Sequence, residues 1–257
     1  MTITFRNRLL TLLLIVTFLL AGSYLAASYL AAVVLQLPEQ ELLTVLDAGP
    51  SVVVGLAGVI WLRRVYRKTS APTVFFFTVF LFCVTADGLR VAQVFLTLAR
   101  EPFSFGLLVT KTVWALRLGS LFSLLFASLF LLDFSYEGYG TLLLAGTAAC
   151  VLLVVGLPLQ SSLPDAHGLY PLGDTLGLAL FFGLILLVAT ANHALAWWKD
   201  HRSEASADAG RRIPLLMVVW VLVAGGWLGG LLWNPWWLTL MAPGIVLLGQ
   251  QARDTLL

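Results

Sequence analysis

Apolar positions run almost unbroken along this chain, in stretches of about the 20 residues that a helix needs to cross a hydrocarbon core of about 30 Å. Polar punctuation is short and separates eight such stretches: residues 9–37, 50–62, 73–98, 105–132, 141–159, 176–198, 213–233 and 238–248. The second is short unless it begins near Leu43, and the eighth is short unless it extends back through Pro235. No run shows the alternating polarity of a barrel strand. The pattern predicts an all-α, polytopic transmembrane helix bundle of about eight spans, forming one domain over residues 1–257.

Composition agrees with the pattern. Of the 257 residues, 60% are hydrophobic and 11% charged, where soluble domains carry roughly 25% charge. The longest loops, residues 160–174 and 199–212, are too short to fold as domains. A basic start, Arg6 and Arg8, precedes the first apolar run. That run is longer than the h-region of a signal peptide, about 7–15 residues, so it is expected to stay as a helix; a cleaved first helix would leave seven spans. It contains a direct repeat, Ser23-Tyr24-Leu25-Ala26-Ala27 followed by Ser28-Tyr29-Leu30-Ala31-Ala32, whose small residues suit close helix packing.

Charge orients the bundle. Taking loops alternately, one set holds Arg6, Arg8, Arg63, Arg64, Arg67, Lys68, Lys199, Arg202, Arg211, Arg212 and Arg253, and the other holds Arg100 alone. Basic residues stay on the cytoplasmic side, so both termini are expected there, in a bacterial inner membrane. Six of nine tryptophans (Trp61, Trp197, Trp198, Trp233, Trp236 and Trp237) fall at the expected span ends, the layer that indoles prefer. A net charge of +2 with no basic surface excludes a nucleic-acid partner. Membrane lipids and a protein partner or second copy are the expected neighbours.

Charge inside the spans is the costly feature, at about 2.5–3.5 kcal/mol per residue near mid-bilayer on insertion scales. Asp87 and Arg90 lie three apart in the third span, hence on one helix face; Lys111 and Arg117 lie in the fourth. A hairpin centred near Pro102 sets Asp87 level with Arg117, and Arg90 level with Trp114. Asp87 and Arg117 are therefore expected to pair, Arg90 to reach Asp87 or lie against the Trp114 ring, and Lys111 to snorkel towards the near surface. Either this cluster is a structural ion pair fixing helix register, or its surplus of cations binds an anionic group.

Other polar groups read as packing. Thr190, Asn192 and His193 sit in the sixth span; no second histidine lies in a span, which excludes paired-histidine haem ligation within this chain. Cys83 and Cys150 read as small buried hydrophobes. Gly225, Gly226, Gly229 and Gly230 form two overlapping G-x-x-x-G pairs, a flat groove for a neighbouring helix. No metalloprotease or P-loop motif occurs, and no cofactor is implied.

From Phe80 to Gly140, with Asp87, Arg90, Lys111, Trp114 and Arg117 followed by Phe130-Leu131-Leu132-Asp133, the layout resembles bacterial membrane sensor modules of about seven helices. The resemblance covers about a quarter of the chain. Such modules precede a kinase or cyclase domain, whereas here the last span closes at Leu248 and the sequence at Leu257. It implies a sensor, or a subunit of a membrane complex, that signals through a partner. A transporter or a lipid- or anion-binding protein using the charged cluster is the alternative.

Overall fold

The computed structural model describes residues 3–66, 72–132, 139–165, 168–173 and 175–202. Among them there are helices and turns and no strand. In chain order the α-helices are α1 (Ile3–Tyr29), α2 (Glu39–Leu46), α3 (Gly49–Tyr66), α4 (Pro72–Ala86), α5 (Val91–Leu98), α6 (Phe103–Leu129), α7 (Tyr139–Gly156) and α8 (Thr175–Arg202). Four continuous stretches are long and apolar enough to cross a membrane: Asn7–Val34, Glu39–Arg64, Pro72–Leu98 and Phe103–Leu129. Gly140–Gly156 and Leu180–Ala196 are shorter apolar helices. The expected seventh and eighth spans, with Gly225, Gly226, Gly229 and Gly230, lie outside the described residues.

Successive stretches run antiparallel. Arg63 Nη2 near the end of α3 donates to Thr11 Oγ1 near the start of α1, while Phe103 at the start of α6 packs its ring 4.8 Å from Tyr170 in the 157–173 loop. One end of the bundle therefore carries Arg63 and Arg64, the other the turns at Pro38 and Pro102 and the 157–173 loop. Both turns combine a left-handed residue with a proline two positions on. Gln36 and Arg100 adopt left-handed φ of 47° and 55°. After α5, the Glu101 amide returns to the Leu96 carbonyl and the Arg100 amide to Thr97, a Schellman closure. A proline two residues beyond each left-handed residue stops the helix.

The second stretch begins earlier than its apolar core suggests, because α2 and α3 join end to end through Asp47 and Ala48. Pro50 lacks the amide that would have met the Leu46 carbonyl. The Tyr24 hydroxyl from α1 lies 3.5 Å from that carbonyl and partly replaces it.

The core centres on α4, buried without a break from Val74 to Leu81 and then from Cys83 to Ala86. A helix apolar on all faces belongs at the centre of a bundle. It packs between α3 and α6, with α1 on a third side. Phe76 stacks on Phe130 at 5.5 Å and leans on Phe126 at 5.4 Å. Gly55 of α3 lies directly against Thr85 and the Leu81 carbonyl of α4, leaving no room for a Cβ. The outward face of α1 is apolar and exposed, with Leu12, Ile15, Phe18 and Leu19 at its surface.

In the loop after α7, residues 168–173 fold back against the bundle, while 162–165 are exposed. An antiparallel bridge joins Leu159 and Leu172, and Leu169, Tyr170 and Leu172 are buried. The Tyr170 amide donates to Thr110 Oγ1 of α6 at 3.3 Å.

Candidate functional site

Between α4 and α5 the third stretch changes geometry. Asp87–Arg90 is one turn of 3-10 helix, within a stretch otherwise α-helical from Pro72 to Leu98. No proline causes this. Two features adjoin it: Thr85 bonds back to the Leu81 carbonyl, a contact that can bend helices, and Gly88 packs so closely on Val52 of α3 that a Cβ there would come within 2.6 Å of its methyl. In a 3-10 turn, residues three apart eclipse, so Asp87 and Arg90 stack on the same side.

That side faces α6. Arg117 Nε donates to Asp87 Oδ1 at 2.8 Å. Arg90 Nε lies 3.5 Å from Asp87 Oδ2, an ion pair without a hydrogen bond. Asp87, Arg90 and Arg117 are 5%, 3% and 5% exposed, so among the described residues one carboxylate serves two guanidiniums away from bulk solvent. Trp114, one turn before Arg117 on α6, places its ring 5.2 Å from the Arg117 Cζ and packs against Phe182 of α8. The indole therefore stacks with Arg117, not with Arg90.

Lys111 lies apart from this group. Its side chain leaves α6 about 240° around the axis from Arg117, and its Nζ donates to the Val155 carbonyl at 2.9 Å. Val155 is in the last turn of α7, where carbonyls lack helical partners and the helix dipole favours a cation.

Residues beyond the expected cluster complete the layer. Gln93, three residues after Arg90, is buried against Gly106 of α6 and Tyr170. Asp47 and Asp165 lie within electrostatic range of Arg90. Asp165 is held in its loop by the Leu169 amide, which donates to Oδ1 at 3.0 Å. Three buried polar atoms of this layer, Arg90 Nε, Gln93 Oε1 and Trp114 Nε1, have no hydrogen-bond partner among the described residues. A buried polar group left without a hydrogen bond costs about 1–3 kcal/mol, a cost that for Arg90 the ion pair with Asp87 offsets in part. Gln93 was legible as a face-mate of Arg90 at helical spacing; the inward turn of Leu169, Tyr170 and Leu172 was signalled only by three apolar residues in a polar stretch.

The remaining polar groups pack. Asn192 Nδ2 donates to Ser128 Oγ at 3.0 Å, joining α8 to α6. His193 Nδ1 lies 2.8 Å from the Ala189 carbonyl, one turn back. Cys83 and Cys150 are free and buried. Among the described residues no three His, Cys, Asp or Glu side chains gather as metal ligands.

No protein-family model matches this chain, and no curated protein matches it significantly.

Proposed function

We propose that this chain is a non-catalytic, multi-pass protein of the bacterial inner membrane that works as a sensor or as a subunit of a larger membrane complex. The carrying observation is the carboxylate of Asp87 shared between Arg117 and Arg90 on a 3-10 turn in the middle of a membrane-length helix. A carboxylate with two competing partners can change partner, and a mid-helix 3-10 turn often marks a hinge. Rewinding those four residues as α-helix would draw α5 in by about 2 Å and rotate it by about 80°. Such a discrete change is what a switching element needs. The excess of basic residues in one alternate set of loops of the sequence supports cytoplasmic termini. Absence of a catalytic motif in the sequence fits a role exercised through a partner.

The test compares wild type, Asp87→Asn and Arg90→Gln, each expressed in membranes and purified by affinity tag. The expected result is that Arg90→Gln keeps its folded yield by fluorescence-detected gel filtration yet changes the hydrogen exchange of α5 and the set of co-purifying proteins. If both variants only lose folded yield, the pair is structural and the proposal fails.

A second reading rests on Arg90 Nε, which holds positive charge without a hydrogen-bond partner among the described residues. There the centre is an anion site, of a transporter or a lipid- or anion-binding protein. A carboxylate or phosphate solute that raises the wild-type unfolding temperature, but not that of Arg90→Gln, would favour it.

A further inference from the structure

A groove of about 500 Å³ runs between α1, α4, α6 and α7, on another side of α6 from the Asp87 centre. Along α6 it follows one stripe, from Lys111 through Ala115 and Gly119 to Phe126. At about 1.5 Å per residue that stripe is about 22 Å long.

Its wall is effectively hydrocarbon. Three hydroxyls line it, those of Thr112, Ser123 and Thr147, and each donates to the carbonyl four residues back on its own helix. Cys83 and Cys150 contribute small apolar thiols. Among the described residues the one charged side chain in the lining is Lys111, at the end nearest the Pro102 turn. Its ammonium has three protons and gives one to the Val155 carbonyl, which leaves two for an anion.

We propose that this groove holds one acyl chain of an anionic phospholipid, with the phosphate at Lys111. Three features carry this. Among the described residues the lining has its cation at one end, which suits an amphiphilic occupant with a negative head. A 22 Å channel accommodates a whole acyl tail, since one leaflet of the hydrocarbon core is about 15 Å deep. The hydroxyls bonded internally give no purchase to a polar solute along the way. Gly119 opens the middle of the channel, where a Cβ would meet only Cys83 Sγ at 3.6 Å.

The experiment is native mass spectrometry of the full chain, given phosphatidylglycerol and phosphatidylcholine at equal concentration. Wild type retains phosphatidylglycerol about fivefold over phosphatidylcholine, the worth of one basic side chain near an anionic surface. Lys111→Gln, which keeps a donor for Val155, brings the ratio to about one, and Lys111→Arg restores it. Gly119→Leu fills the channel and loses both lipids, with its unfolding temperature unchanged. An unchanged ratio in Lys111→Gln, or full lipid retention in Gly119→Leu, overturns the proposal. So does a disulfide between Cys150 and a cysteine placed at Gly226 or Gly229, which would put this chain's own segment in the groove.

Discussion

Arg117 and Arg90 share a carboxylate unequally, and that inequality makes a prediction. Arg117 holds Asp87 by a 2.8 Å hydrogen bond and lies against an indole; Arg90 sits 3.5 Å off without a hydrogen bond. Removing one partner of a buried pair costs about 3–5 kcal/mol, because the other charge is stranded. Arg117→Ala should approach that figure in unfolding of the purified protein in detergent, and Arg90→Ala should cost clearly less, since Asp87 keeps its stronger partner. Arg117→Lys should recover only part, because an ammonium lacks the planar fork and stacks poorly on Trp114. Equal losses for the two alanine variants would refute this ranking. The meeting of Asp87 with Arg117 was legible from depth, since both lie fifteen residues from Pro102. The partner of Lys111 was not legible, because the end of α7 comes beside α6 only through packing.

Elements meet where side chains are missing. Gly55 and Gly88 let α3 lie against α4 and the 3-10 turn, whereas a Cβ at Gly22 or Gly183 would meet nothing within 4 Å. Gly88→Leu should therefore abolish most folded yield, and Gly183→Leu should leave it near wild type, by fluorescence-detected gel filtration. The 157–173 loop makes a second prediction at this scale. Leu169 is fully buried within it, so Leu169→Ala should cost about 2–5 kcal/mol and speed proteolysis at the exposed Leu163. A surface loop would show neither effect. The helical stretches and the two proline-stopped turns followed from the apolar runs and their punctuation. The 3-10 turn did not, since it lies where Gly88 meets another helix, a contact the local sequence does not show.

The molecule as a whole is a helix bundle with a buried centre in α4 and an apolar exterior on α1. Its two ends differ in charge, and the proposed topology puts them on opposite faces of the membrane. Arg64 and Leu163 are both exposed, at opposite ends. In a background with Cys83 and Cys150 replaced by alanine, Leu163→Cys should react with an impermeant maleimide added to intact cells, and Arg64→Cys only after permeabilisation. The reverse pattern would invert the orientation, and labelling of both from one side would dismiss the span order.

Apolar run length, proline and charge placement in the sequence determined that this is a helical bundle with membrane-length helices, and which residues lie level across the Pro102 hairpin. These are properties of local chain geometry, of one rise per residue and one set of stop signals. Only the tertiary structure decided that Arg90 reaches Asp87 while the indole of Trp114 goes to Arg117, that Lys111 belongs to α7 and a groove, and that Leu169, Tyr170 and Leu172 tuck inward. Each depends on which faces pack together, and a chain apolar on nearly every face does not encode that choice in its pattern.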